Sequence, residues 1–266
     1  MTKTLVQQQF GAHAGAYATS AVHAKGASLG RLVELVRPQH DWQVLDIATG
    51  AGHTAAAFAP HVAHVVASDI TSEMLGEART LAAAKGLRNM ETAVADAEAL
   101  PFEAARFDLV TCRIAAHHFP DPARFVHEVR RVLRPGGTFA LVDNISPDAG
   151  STPGFSAVDL AAAAVAYNAF EKLRDPSHGR CLGLAEWTEL LAAAGLAVLH
   201  REILPKAMEL LPWAARLNAG ADTVARLRTL LDEASAALKA FLQPRTGAGA
   251  VWFNLDEAIV IARTAA

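Results

Sequence analysis

Three carboxylates in the first hundred residues carry the most chemistry in this chain: Asp46, Asp69 and Asp96, each closing an apolar stretch. Asp46 runs almost directly into the small-residue turn Ala48-Thr49-Gly50-Ala51-Gly52. Glycines there remove side-chain bulk, so amides at the following helix N-terminus can approach a bound ligand closely. A carboxylate just before such a loop repels a dinucleotide's pyrophosphate, whereas it pairs with a ligand carrying an ammonium and a sulfonium. The pattern therefore points to S-adenosylmethionine rather than NAD. Asp69, about 20 residues beyond the loop, is placed to grip both ribose hydroxyls. Asp96 offers an acceptor to the adenine exocyclic amine, and Ala97 leaves room for the ring. The candidate cofactor-binding residues are Asp46, Ala48, Thr49, Gly50, Gly52, Asp69, Ile70, Met74, Asp96, Ala97 and Arg113.

Such acids need strand ends to hold them. Apolar runs at 62–69, 91–95 and 107–112 read as strands after the first, which ends at Asp46. A helix closed by Arg134-Pro135-Gly136-Gly137 precedes a fifth strand at 138–143. Ahead of the first strand, 10–20 and 22–36 read as two helices, the second with Leu29, Leu32, Val33 and Val36 on one face. After the fifth strand, an insertion at 147–180 carries a helix around 158–173 and is expected to roof the pocket with apolar groups. A helix at 185–194 and a strand at 197–204 follow. A second insertion, 205–243, reads as two more helices, and 251–263 as the last strand, forming a terminal antiparallel pair.

In this order the chain resembles the class I S-adenosylmethionine-dependent methyltransferases, near the small-molecule branch that includes the ubiquinone and menaquinone C-methyltransferases. The resemblance spans about 42–143 and rests on the acid-then-glycine loop, Asp69, Asp96-Ala97, Leu100-Pro101-Phe102, Phe107-Asp108-Leu109-Val110 and Arg134-Pro135-Gly136-Gly137. It departs at Ala48, where the family has its first glycine; alanine fits there if φ is negative. The resemblance implies a Rossmann-like, doubly wound α/β fold, with a seven-stranded, mostly parallel sheet, a terminal antiparallel strand and helical insertions. A single domain over 1–266 is expected, with an N-terminal helical lid (1–41), a cofactor-binding core (42–145) and helical insertions over the substrate side (146–184 and 205–246).

In such a sheet the ligand crevice lies at the carboxyl ends of the strands, collecting Ala48, Asp69, Asp96, Arg113 and Asn144 along one edge. Methyl transfer needs an aligned, desolvated nucleophile more than elaborate acid-base machinery. His117 and His118, after the fourth strand, are the candidate bases, with His117 slightly preferred; the plainer reading is loop packing or capping. Phe10, His13 and Tyr17 share a face of the first helix, and the resemblance places an aromatic residue of that helix near the cofactor's methionine end. Glu171 to Arg180 is a dense polar cluster. Asp175 before Pro176 ends the helix and aims Arg174 and His178 back toward the pocket, unless the cluster is only a solvated terminus. The candidate substrate-binding residues are His13, Tyr17, Asn144, Arg174 and His178.

The formal net charge of −3 gives no reason to expect nucleic acid or an anionic membrane as partner; a small molecule suits the chain better, held by a monomer or homodimer. Only Cys112 and Cys181 occur, at no spacing that suggests a metal site or a disulfide framework. With no signal-like N-terminus or spanning run, a cytoplasmic location is expected. The expected activity is methyl transfer from S-adenosylmethionine to an oxygen or carbon of a small aromatic or quinone-like acceptor, leaving S-adenosylhomocysteine. The alternatives are a non-methylating reaction on the same scaffold (cyclisation, elimination or dehalogenation), or a cofactor-binding module without chemistry. An NAD-dependent oxidoreductase is the weakest reading.

Overall fold

Alternation of side chains across five short strands builds the centre of the molecule. In β1 (Gln43–Ile47), Leu45 and Ile47 enter one apolar cluster while Val44 enters the other, on the opposite face of the sheet. The structure, a computed structural model, describes residues 3–18 and 26–265, with the side chains of 12, 13 and 16–18 outside the description. Among the described residues two helices precede β1: α1 (Lys3–Ala18), which begins earlier than the sequence suggested, and α2 (Ala27–Val36). The core then alternates: α3 (His53–Phe58), β2 (His64–Asp69), α4 (Ser72–Ala84), β3 (Met90–Val94), β4 (Phe107–Arg113), α5 (Pro122–Val132) and β5 (Leu133–Asn144).

Helix α5 shows why the segments stop and start where they do. Asp121 caps it by accepting from the Arg124 amide, Pro122 opens its first turn, and Phe125, Val126, Val129 and Val132 form the buried stripe. The Arg134-Pro135-Gly136-Gly137 turn lies inside β5 as an irregularity. Phe107 pairs with Leu133, and Leu109 next with Thr138, so the turn bulges out between the two.

Beyond β5 come α6 (Ala157–Arg174), α7 (Leu184–Ala193), β6 (Leu196–Leu204), β7 (Ala207–Glu209), α8 (Leu210–Ala215), α9 (Ala221–Asp232), α10 (Ala236–Leu242), β8 (Arg245–Gly247), β9 (Ala250–Asn254) and β10 (Glu257–Thr264). The main sheet has the order β3-β2-β1-β4-β5-β10-β6, parallel except for β10, which runs antiparallel to both neighbours. The expected architecture is thus observed, with the antiparallel strand one place in from the edge.

Two expectations are corrected. The segment at 251–263 is two strands: β9 leaves the main sheet and pairs with β7 and β8, and only β10 joins β5 and β6. The second insertion holds three helices and a short strand, because Pro205 ends β6 and the chain then turns at β7 to build the small sheet. Strand order reverses between β1 and β4, and their carboxyl ends open the crevice where open α/β sheets bind ligands.

Candidate active site

The turn after β1 is a backbone cradle held by β2. Thr49 N donates to the Ser68 carbonyl at 2.9 Å, and Gly50 N donates to Asp69 Oδ2 at 2.9 Å. Asp69 Oδ1 accepts from Thr71 N at 2.9 Å, which fixes the carboxylate at the end of β2. Burial pushes the Asp69 carboxyl above its ordinary pKa, against these amide bonds, which lower it. Gly50 has φ +53°, and a Cβ there would meet nothing within 4 Å. Gly52 (φ +85°) does a different job: a Cβ would stand 2.9 Å from that of Ala78, so this glycine lets the loop close onto α4 and does not face the cleft.

Ala48 departs from expectation. Its φ is +51°, in the left-handed region, because the chain must turn there for Thr49 to reach back to Ser68. Asp46 is also corrected. It lies behind the loop, 1% exposed, and is absent from the cleft wall. Its Oδ1 accepts from Thr111 Oγ1 on β4, and its Oδ2 accepts from Thr49 Oγ1 and Ala55 N, tying loop, sheet and α3 together. Burial pushes its carboxyl up to about 6, although these bonds and the charge of Arg113 pull downward.

The cleft encloses about 1020 Å³, including its mouth. Ala48, Thr49, Gly50, Asp69, Ile70, Met74, Asp96, Ala97 and Arg113 all line it; of the expected cofactor residues only Asp46 and Gly52 do not. Arg113, buried at the end of β4, donates from Nε to Thr54 Oγ1 at 3.0 Å. Three residues of α1 spaced along one face, Lys3, Val6 and Phe10, form the cover. Lys3 Nζ reaches Asp96 Oδ2 at 2.5 Å and Glu98 Oε2 at 2.7 Å. The candidate adenine acceptor is thus engaged by α1.

A second cavity of about 560 Å³ adjoins the first, sharing Phe10, Ile114 and His118 as walls. Ile114 is held at φ +54°, its amide donating to the Val142 carbonyl at 2.7 Å. A β-branched residue in the left-handed region is strained, and such strain gathers at functional sites.

Of the expected catalytic and substrate residues, His117, His118, Asn144 and Arg174 line the second cavity. His117 Nδ1 donates to Asp143 Oδ1 at 2.6 Å. Burial would lower its pKa, but the Asp143 charge and hydrogen bond raise it above the ordinary imidazole value. His118 donates from Nδ1 to the Ser177 carbonyl at 2.8 Å; burial and neighbouring His117 push its pKa down to about 3. His178 is corrected: it lines neither cavity, donating from Nε2 to Asn168 Oδ1 at 2.9 Å in the layer behind His117. The side chains of His13 and Tyr17 lie outside the described residues.

The roof is not the apolar surface expected from the sequence. Glu171 and Arg174 continue the stripe of α6 that buries Leu160, Ala163, Tyr167 and Phe170, and both face the cavity together with Lys206 and Arg216. The helical spacing 160, 163, 167, 171, 174 was a legible signal for them. Lys206 pairs with Glu257 and also donates to Asn144 Oδ1 at 3.3 Å. No sequence signal marked Ile114, Lys206 or Trp213 as cavity residues, since each is placed by a distant element.

A family model described as a methyltransferase domain matches residues 45–141. The uncharacterized methyltransferase YcgJ of Bacillus subtilis strain 168 is 36% identical over 226 residues, 85% of this chain and 85% of its own length. The ubiquinone/menaquinone biosynthesis C-methyltransferase UbiE of Brucella anthropi is 38% identical over 123 residues, 45% of this chain and 46% of its own. Among solved structures, a Bacillus halodurans C-125 protein whose methyltransferase name is provisional superposes with a TM-score of 0.82 at 36% identity, covering 91% of this chain and 100% of that one. Identity across most of both chains, a shared fold and a glycine loop beside a strand-end acid lead to one conclusion: the chain belongs to the class I S-adenosylmethionine-dependent methyltransferases.

Proposed function

We propose that the protein binds S-adenosylmethionine in the first cleft and directs its methyl group to an oxygen or carbon of a small aromatic or quinone-like acceptor held in the second cavity. The observation that carries this reading is the pair of adjoining cavities with Phe10, Ile114 and His118 as common walls. The donor set of the first cleft fits the cofactor. Asp69 and Asp96 are acceptors for ribose and adenine, the bare Gly50 backbone allows close approach, and Arg113 is a cation for a carboxylate. When bound, the cofactor supplies an electrophilic methyl on a cationic sulfur.

The chain's own residues do the rest. Phe10 and Ile114 exclude water and align the two compartments. His117 holds Nδ1–H on Asp143, which leaves Nε2 as the base that takes the proton from an acceptor hydroxyl; Asp143 positions the ring and stabilises the cation that forms. His118 stays neutral and acts as a wall. In this reading 1–41 serves as the lid, 42–145 as the cofactor core, and 146–184 with 205–246 as the cover of the acceptor side.

The test is calorimetric titration of S-adenosylmethionine, S-adenosylhomocysteine and NADH into the wild type and Asp69→Ala. Binding of the first two, weakened at least tenfold by the substitution, is the expected result. Binding of NADH alone would overturn the reading.

A further inference from the structure

The second cavity contains a cationic fork built before any ligand arrives. Arg174 Nε donates to the Trp213 carbonyl at 3.0 Å, and the guanidinium carbon sits 4.4 Å from the centre of the Trp213 ring. Trp213 is itself clamped, stacked on Phe170 at 5.2 Å and edge-on to Phe253 at 4.9 Å. The plane of the guanidinium is therefore set by a carbonyl and a rigid indole. Its two terminal amino groups have no protein hydrogen bond among the described residues, and Arg174 lines the cavity. A planar fork fixed in this way matches the two oxygens of a carboxylate.

The other charged groups leave that fork available. Asp175, the nearest acid in sequence, spends Oδ1 on the amide and hydroxyl of Ser177. Glu257 is paired with Lys206. Glu171, 3% exposed, keeps Oε1 without a hydrogen-bond partner in the same wall. Burial holds its carboxyl above the ordinary range, although Arg174, His117 and Lys206 pull it down. Such an orphaned oxygen calls for a hydroxyl donor on the ligand. The apolar walls Phe10, Met208 and Leu255 favour a flat ring between the two polar ends.

We propose that the methyl acceptor is a hydroxylated aromatic or enolic carboxylic acid, its carboxylate clasped by the terminal amino groups of Arg174, a hydroxyl donated to Glu171, and the reacting atom at the Ile114–His118 end. This rests on the methyltransferase reading and specifies its substrate class.

The experiment is calorimetry on protein saturated with S-adenosylhomocysteine, using matched pairs of probes: mono- and dihydroxylated benzoates, phenylacetates and cinnamates, each against its carboxamide. At least one acid is expected to bind tenfold or more tighter than its amide. Arg174→Met should erase that preference, and Arg174→Lys, which keeps the charge but not the fork, should retain part of it. S-adenosylhomocysteine titrated into each variant shows that the fold and the first cleft are intact. Equal affinity of acids and amides, no acid bound by the whole panel, or a preference that survives Arg174→Met would each overturn the proposal. Loss of S-adenosylhomocysteine binding by the wild type would instead sink the methyltransferase reading itself.

Discussion

Ala48 is a methyl group in a backbone state that costs an L-residue about 1–2 kcal/mol, at φ +51°. Ala48→Gly removes that cost and adds back some unfolded-chain entropy, so a net gain of about 0.5–1 kcal/mol is expected, or roughly 2 °C in a thermal melt. A lower midpoint would mean that the alanine methyl packs too well to lose. Asp46 gives a pH signature. Its pKa of about 6 in the fold lies above an unfolded value of about 3.9, so between these values the folded chain keeps a proton that the unfolded chain has lost. The stability from this group is full below about pH 4 and is lost as pH rises through about 6. Relative to Asp46→Asn, the wild type should lose about 2–3 kcal/mol between pH 4 and 7 in denaturant titrations. A constant difference would contradict the burial argument. The His117–Asp143 pair predicts an activity profile. Only neutral His117 takes a proton, so the rate rises with pH through a pKa held up by Asp143. In Asp143→Asn that midpoint should move to lower pH while the plateau of kcat drops about 100-fold. A midpoint that stays put would assign the titration to another group.

At the scale of elements, α1 closes the first cleft through Lys3, Val6 and Phe10, and is fastened by Lys3 to Asp96 and Glu98 and by Gln7 to the Ile70 carbonyl. The Lys3 pairs are partly exposed, so they add little stability, about 1 kcal/mol or less. Their effect should be on entry: Lys3→Met is expected to leave the melting midpoint within about 2 °C and to speed S-adenosylhomocysteine association in stopped flow. An unchanged association rate would show that α1 does not gate the cleft. The strands that carry Asp46 and Asp69, and the one that runs toward Asp96, were legible because each is a short run punctuated by a polar turn, a local signal. Asp46's true role was not, since only the pairing of β1 with β4 puts Thr111 opposite it. The division of 251–263 between two sheets was likewise hidden, because β9 is drawn out of the main sheet by its pairing with β7 and β8. The polar roof was half legible: helical spacing placed Glu171 and Arg174 on the buried stripe, but nothing local tied them to Trp213 or Lys206.

Over the whole molecule, the segment that completes the sheet is nearly the last one in sequence. β10 pairs with β5 along Glu257–Arg263 on one side and with β6 along Glu257–Thr264 on the other, so it joins the parallel strands of the sheet to the segments that follow β5. Its residues enter both apolar clusters, Ile259 and Ile261 on one face and Ala258, Val260 and Ala262 on the other. Removing β10 would detach β6, expose two core faces at once and unpair Glu257 from Lys206, which lines the second cavity. α9 is the opposite case, burying only Leu227 and Leu231. Two stability classes should follow in native-state hydrogen exchange. Amides at 258–262 should exchange only through global unfolding, with the full denaturant dependence of the cooperative transition, while those of 221–232 exchange earlier through local opening. A chain ending at residue 249 should accordingly fail to fold rather than lose a peripheral strand. If β10 amides instead exchange with a shallow denaturant slope, the C-terminal strand peels independently of the core.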